Sequence, residues 1–388
     1  MTALSARCAL FSLAVALAAI LLTTMIVAGG ASASSAQGGV RFTVVKRAAD
    51  YVVVKRHALR LTIRRDSRVV KVGGAARYEV VERTRTFYVL KRLTTSADPP
   101  PPASPAIWNV ADYGALGNGV TDDAGSIDAA VEACAAAGGG TVFLPAGTYR
   151  LVQGTTIGDV RPLYCNIPIA SGVTIQGAGI GQTVLQGEGI SSCSVFGAVL
   201  QTNVGVRDLS IVMPAAEHET TGKDGIKLEG VTYGAFTNVS MENMYIATNC
   251  VGCRNITYTG CVATGAVQGF SITLNPETAY ATCGSITLTD CEASSSDQCG
   301  FYAFWNDGND THRVASVTFN GCYAHDNAYS GFYSNWSTHC TWRDCVSDHN
   351  SSWGFYLERS KGFLVTSCRA TGNGETGFAY PNGSTRRH

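Results

Sequence analysis

In the second half of the chain, small and apolar residues recur in two ladders that keep step with one another. Gly-Phe stands at Gly269-Phe270, Gly300-Phe301, Gly331-Phe332, Gly354-Phe355 and Gly377-Phe378, at intervals of 31, 31, 23 and 23 residues. Cysteine recurs at Cys261, Cys291, Cys322, Cys345 and Cys368, at intervals of 30, 31, 23 and 23. Five residues before each cysteine stands Ile256, Ile286, Val317, Cys340 or Phe363, and three before it Tyr258, Leu288, Phe319, Trp342 or Val365. The positions between are mostly Thr, Asn or Arg. Such alternation marks a strand with one buried face, and its return at a fixed offset marks a repeat. A unit of about 23 residues with short alternating strands and Asn/Gly turns is one rung of a solenoid. The pattern predicts an all-β parallel β-helix whose equivalent residues stack ~4.8 Å apart.

The cysteine column keeps step with the apolar columns and is predicted to face inward. Parallel side chains on neighbouring rungs hold their Cβ atoms near ~4.8 Å, beyond the ~3.8 Å a disulfide prefers, so these cysteines read as free core thiols. Cys250-x-x-Cys253 lacks a second pair at zinc-site spacing and is not read as a metal site. The same grammar extends upstream through Val239/Met241/Met244, Val204/Val206/Leu209 and Val173/Ile175. End rungs of a solenoid expose apolar edges and need covers. Thr121-Asp122-Asp123 followed by Ile127, Ala130, Val131 and Cys134 reads as a capped amphipathic helix, stopped by Gly138-Gly139-Gly140, over the N-terminal end. No equivalent follows Gly377-Phe378, which leaves two expectations for that end: further chain beyond the given sequence, or a cover supplied by a partner such as a second copy of the chain.

Charge divides the chain. The net charge is zero, yet Arg41 to Arg92 carries fifteen Lys/Arg against four acids, and Ala97 onward thirteen against twenty-five. The basic stretch is a duplication. Arg41-Phe-Thr-Val-Val-Lys-Arg returns as Arg77-Tyr-Glu-Val-Val-Glu-Arg, and Tyr51-Val-Val-Val-Lys-Arg as Phe87-Tyr-Val-Leu-Lys-Arg, with a shift of 36. These β-branched runs, parted by Gly73-Gly74, predict a small basic β-module over 38–97. Its cations are either solvated strand ends or an electrostatic attachment to an anionic surface. A proline-rich spacer over 98–106 leads to a β-helix over 107–385. Upstream, Arg7, the uncharged run Ala9 to Val27 and the small-x-small site Ala31-Ser32-Ala33 read, over 1–37, as a signal peptide or signal anchor. The protein is therefore expected to be secreted or anchored at the cell surface.

Residues 109–151, from Asn109-Val-Ala-Asp-Tyr-Gly through Gly-Gly-Gly-Thr-Val-Phe-Leu-Pro-Ala-Gly-Thr-Tyr, resemble the opening of pectate-lyase-superfamily β-helices. Gly172-Val-Thr-Ile-Gln-Gly-Ala-Gly resembles the next rung of that group, which includes polygalacturonases, rhamnogalacturonan-active enzymes, alginate epimerases and viral tailspikes. The resemblance implies a right-handed parallel β-helix over roughly residues 107–380, and says little about chemistry, because the opening is architectural. Lys223-Asp224-Gly225-Ile226 resembles the Asn-Thr-Asp-Gly-Ile of polygalacturonases, which would make Asp224 a catalytic carboxylate. Their Asp-Asp-Cys is replaced by Thr248-Asn249-Cys250, and their Gly-His-Gly by Val267-Gln268-Gly269. Inverting hydrolysis needs two carboxylates ~6.5–9.5 Å apart, so one aspartate cannot play both parts. The epimerase motif Tyr-Gly-Phe-Asp-Pro-His is likewise absent, with Gln268-Gly269-Phe270-Ser271-Ile272-Thr273 in its place.

Alternation along the Gly-Phe strands gives the outward columns. One is expected to run Lys227, Gly252, Ser271, Tyr302, Tyr333, Tyr356, and its neighbour Glu229, Arg254, Thr273, Phe304, Asn335, Glu358. Asp224, Lys227, Glu229 and Arg254 form the candidate catalytic cluster, with Asn249 and Gln268 beside them for substrate. Cations beside carboxylates suit β-elimination, in which a base takes the proton alpha to a uronate and cations hold the enolate. The alternative is a ladder of solvated ion pairs. Lower rungs offer Tyr302, Tyr333 and Tyr356, flanked by Trp305 and Trp336, whose flat faces suit sugar rings, or else form a stabilising ladder or protein interface. The 31-residue repeats carry their surplus in Asn275–Gly284 and Asn306–Val314, loops expected to bring together Glu277, Asn306, Asp307, Asp310 and His312. No cofactor is expected; calcium between Asp307 and Asp310 is the alternative to ordinary turn chemistry there. His325-Asp326-Asn327 and Asp348-His349-Asn350 recur at turns and read as structural. The expected function is an extracellular carbohydrate-active β-helix that acts on or binds an acidic polysaccharide, as a lyase or distant hydrolase, or as a non-catalytic adhesin or spike.

Overall fold

The computed structural model describes the backbone of residues 42–47, 51–56, 69–71, 77–83 and 87–93, and residues 106–158, 162–188, 192–214, 222–274, 283–304 and 314–386 in full. The expected export segment and the spacer up to Pro105 lie outside the described residues. The chain divides into two compact units, Met1–Ala103 and Ser104–His388.

The first unit is a five-stranded antiparallel sheet of β1 (Phe42–Arg47), β2 (Tyr51–Arg56), β3 (Val69–Lys71), β4 (Arg77–Arg83) and β5 (Phe87–Leu93), in the order β1-β2-β5-β4-β3. The duplication is written into its register. Phe42 faces Arg56 and Val44 faces Val54, with a bulge before Lys46; Tyr78 faces Arg92 and Val80 faces Leu90, with a bulge before Glu82. Every partner in the second hairpin lies 36 residues beyond its counterpart. The hairpins join through β2 and β5, where Val53 faces Val89, so each copy offers the same strand to the other about a pseudo-twofold axis.

In the second unit, α1 (Ala124–Ala136) buries Ile127, Ala130, Val131 and Cys134 against the first strands, as its apolar spacing requires. Its start differs from expectation. The fully buried Asp123 carboxylate makes no bond to the helix; it accepts the amides of Leu116 and Gly117 at 2.8 and 3.0 Å. Asp122 instead accepts the Ala124 amide at 3.2 Å. A short Asp side chain serves whichever nearby amides the turn presents, and here the preceding turn wins.

Beyond α1 the chain coils as a right-handed parallel β-helix. Val206, Phe236, Tyr258, Leu288, Phe319, Trp342 and Val365 stand opposite one another in unbroken register, as do Ile256, Ile286 and Val317, while Cys340 and Phe363 are buried without a strand pairing to that column. The Gly-Phe column becomes a buried stack of Phe270, Phe301, Phe332 and Phe355, continued by Phe378, with ring centroids 4.7–5.0 Å apart and planes within 9°. The inward cysteine column also holds: Cys261, Cys291, Cys322 and Cys345 are buried and, among the described residues, cysteines are unbridged. Cys322 donates to the Leu288 carbonyl and Cys345 to the Phe319 carbonyl on the rung before, at 3.5 and 3.4 Å.

The corners follow from backbone sterics. Asn203, Tyr233, Asn255, Ser285, Ser316, His339 and Gly362 share one column, and Asp208, Asn238, Gly260, Asp290, Gly321, Asp344 and Ser367 another, all with φ between 47° and 64°. Asn, Asp and Gly tolerate this left-handed region best, which is why turn residues recur there without long loops. The repeated turns also carry an asparagine ladder. Asn327 donates to Asn350 Oδ1 at 2.8 Å, and Asn350 to Asn373 Oδ1 at 2.9 Å.

Candidate functional site

The face of interest comprises the parallel strands Ile226–Glu229, Ile246–Val251, Gln268–Thr273, Phe301–Phe304, Phe332–Asn335 and Phe355–Glu358. Its outward column runs Lys227, Asn249, Ser271, Tyr302, Tyr333, Tyr356, and the next Glu229, Val251, Thr273, Phe304, Asn335, Glu358. Two expected members are displaced. Gly252 is a corner residue with φ of 61°, and Arg254 opens the strand Arg254–Thr259 in another sheet, opposite Thr232 and Gly284. The cause lies in one rung: Ala247-Thr248 replaces Gly-Phe there, and the nearest glycine belongs to the turn that follows. Asn249 consequently occupies the position assigned to Gly252.

That substitution tightens the polar cluster. Asn249 Nδ2 donates to Asp224 Oδ2 at 2.9 Å, and Lys227 Nζ lies 3.7 Å from the same oxygen. Asp224 is 1% exposed. Burial raises its pKa above the usual carboxylate value, against the opposing pull of Lys227, Asn249 and the Ile246 backbone. Glu229 shares the outward side of its strand with Lys227, between buried Ile226 and Leu228. Gln268 is turned to the following rung, donating to Gln298 Oε1 at 2.7 Å. The structure thus brings together Asp224, Lys227 and Asn249, with Glu229 alongside, and sets Arg254 on a strand of another sheet.

Three rungs below, Tyr302 and Tyr333 stack at 5.2 Å and 15°, and Tyr333 and Tyr356 at 5.5 Å and 11°. This corrects the expected platform. Rings stacked face to face use their faces on one another and offer outward chiefly edges and hydroxyls. Burial pushes Tyr333 up to about 12, and Asn335 donates to its hydroxyl at 3.2 Å. The differently inclined aromatic surfaces come from Phe304, in the second outward column, and from Trp353 and Tyr329, which periodicity does not flag. Trp353 lies 4.4 Å from Tyr356 at 44°, Tyr329 meets Trp353 edge-on at 5.4 Å, and Phe304 leans on Tyr302 at 5.2 Å. Tyr329 and Trp353 precede Gly331 and Gly354 by unequal steps, so only their composition could have drawn notice. Trp336 stands at a corner with φ of 54°, and the Arg359 guanidinium lies 5.2 Å over its ring. Trp305, Glu277, Asn306, Asp307, Asp310 and His312 lie outside the described residues, and with them the calcium alternative. Among the described residues, no group of three or more His, Cys, Asp or Glu is arranged to hold a metal.

A parallel β-helix with a buried carboxylate cluster and an aromatic cluster on one outward sheet defines a pectate-lyase-like protein. The family described as rhamnogalacturonase A/epimerase, pectate lyase-like, matches residues 107–379, and the chain belongs to it. Mannuronan C5-epimerase AlgE4 of Azotobacter vinelandii is 44% identical over 110 residues, 27% of this chain and 19% of that protein. Alginate lyase 7 of the same organism is 47% identical over 79 residues, 20% of this chain and 9% of that protein. The matched stretch thus spans a fifth or less of these relatives. Among solved structures, the A-module of mannuronan C-5 epimerase AlgE6 gives a TM-score of 0.54 at 20% identity, covering 72% of this chain and 90% of the module. PfbA, a surface adhesin of Streptococcus pneumoniae, gives 0.50 at 13% identity, covering 72% and 80%. These two likenesses establish the fold.

Proposed function

We propose that the protein is a carbohydrate-active β-helix, working outside the cell, that holds an extended polysaccharide along the strands from Ile226 to Glu358. The observation that carries this reading is the outward aromatic cluster of Tyr302, Phe304, Tyr329, Tyr333, Trp353 and Tyr356. Aromatic surface with hydroxyl and indole handles, set on a rigid solenoid, suits rings that are apolar on their faces and polar at their rims. The names of the relatives, epimerases and a lyase of polysaccharides, support it. The duplicated basic module would add attachment to an anionic surface. Retention of the protein on immobilised polysaccharides, compared with Trp353→Ala, tests the reading: loss of retention in a variant that melts normally supports it, and unchanged retention on every polymer refutes it.

A second reading, catalysis, is favoured by Asp224. A buried carboxyl with a raised pKa, held by Lys227 and Asn249 on the same face, is the kind of perturbed group that does chemistry. In β-elimination a base would take the proton alpha to a sugar carboxylate while the glycosidic C–O bond breaks to the leaving oxygen. Release of unsaturated products by the wild type, and its loss in both Asp224→Asn and Lys227→Ala, would establish an enzyme. No absorbance change with any uronate polymer leaves the binder.

A further inference from the structure

The sequence led us to expect an acidic polymer, and the charges around the aromatic cluster argue otherwise. The strands that carry the cluster and the rung above it read Gln-Gly-Phe-Ser-Ile-Thr, Phe-Tyr-Ala-Phe, Phe-Tyr-Ser-Asn and Phe-Tyr-Leu-Glu, with no Lys or Arg among them. Across all six strands of the face the single cation is Lys227, already 3.7 Å from Asp224. Arg254, the second expected cation, belongs to another sheet. Beside the cluster stands Glu358, in register with Asn335, its side chain 15% exposed. It accepts Asn335 Nδ2 at 3.0 Å and Asn382 Nδ2 at 2.5 Å. Arg359 sits 4.0 Å from that carboxylate and over the Trp336 ring. The Tyr329 pKa is raised by burial first and then by Cys299 and Tyr356, with Glu375 and Glu358 adding the smallest contributions.

A polyuronate carries one carboxylate per sugar, so along these strands it would meet a partly buried negative charge and, among the described residues, no array of cations on them. Rim carboxylates and hydroxyls are, by contrast, acceptors for the hydroxyls of uncharged sugars. Building on the glycan-binding reading, we propose that the aromatic cluster around Trp353 and Tyr356 takes a neutral polysaccharide and discriminates against polyuronates.

The test is affinity electrophoresis of the full chain through gels holding a neutral glucan, a neutral mannan, polygalacturonate or alginate, at low and high salt. Retention that survives Trp353→Ala belongs to another surface, the basic module included; the retention it removes belongs to the cluster. The expected result is at least a tenfold weakening by Trp353→Ala on one neutral polymer, changed less than twofold by salt. A Trp353-dependent retention confined to the polyuronates, lost at high salt, overturns the neutral class and leaves glycan binding intact. No Trp353-dependent retention on any polymer overturns the glycan-binding reading itself, and this inference with it. Glu358→Gln separates the classes further: it should strengthen Trp353-dependent retention on polyuronates, and no change there would show that Glu358 is not the discriminating charge.

Discussion

Lys227 Nζ lies 3.7 Å from Oδ2 of Asp224, a carboxylate 1% exposed, while the lysine side chain keeps 22% of its surface in water. The pair is lopsided: the acid is desolvated and the base is not. Asp224 is raised by burial, so protonation favours the folded state. That contribution is complete below the ordinary carboxylate value of 3.8 and is lost as pH rises through the raised value. Removing the lysine should raise Asp224 further. Lys227→Met is expected to cost about 2 kcal/mol at pH 7.5, below the ~3–5 kcal/mol of a fully buried pair because the lysine is partly solvated, and clearly less at pH 4.5. Urea denaturation at the two pH values measures this, and equal losses would show that Asp224 does not change its charge between them.

The cysteine ladder makes a second prediction. Cys322 is raised far above the ordinary thiol value by hydrogen bonding with Cys291 and Cys345 and by burial, which keeps it a thiol. Cys291, Cys322 and Cys345 are all at most 1% exposed, so folded protein should resist alkylation at each of them, and non-reducing mass mapping should find no Cys322–Cys345 bridge. Cys345→Ser should cost about 1 kcal/mol, because carbonyls of Phe319 and Arg343 stand ready to accept its hydroxyl. A bridged Cys322–Cys345 peptide would sink the account.

The same ladder shows what sequence could and could not reveal. Columns such as Tyr258-Leu288-Phe319-Trp342-Val365 were legible because a buried side chain on every rung leaves a period. The site was half legible. Lys227 and the three tyrosines keep that period, but the rung with Ala247-Thr248 lacks the Gly-Phe marker, and one lost marker put Gly252 in the place of Asn249 and Arg254 in that of Val251. Tyr329 and Trp353 occupy turns, where no alternation constrains them. The stacking of tyrosines face to face was beyond periodicity altogether, since a register fixes which residues meet but not how their rings turn.

Asn350 is predicted to be the costliest single polar side chain in the coil. It is 1% exposed, accepts the Asn327 amide and side chain, and donates to Asn373, Ala324 and Ser347. Asn350→Ala strands several of these groups without water, at about 1–3 kcal/mol for each left unsatisfied. Thermal melting should show a fall well beyond that of Asn382→Ala, whose side chain bonds Glu358 at an exposed turn. Similar falls in the two variants would mean that water replaces the ladder.

His325 gives a pH dependence of its own. Its Nδ1 lies 2.6 Å from Asp326 Oδ2, its Nε2 3.1 Å from Glu292 Oε1, and its ring stacks on Tyr323 at 4.3 Å. Asp348 faces it from the next rung, held there by Thr371 and by His349 at 3.1 Å. Burial works against the imidazolium, yet the hydrogen bonds to Asp326 and Glu292 outweigh it and the pKa is raised from 6.5. A raised histidine stabilises the fold fully below about pH 6.5 and loses that contribution as pH climbs through the raised value. Because the cluster is largely in water, the loss should be only about 0.5 kcal/mol. Wild-type stability is therefore expected to decline slightly above pH 6.5, and His325→Gln, which keeps a donor for one carboxylate but no titrating charge, should flatten that decline. Difference curves of unfolding free energy against pH, wild type minus variant, isolate the effect. A difference that grows with pH has the opposite sign and would show that burial, not the two carboxylates, sets the charge on His325.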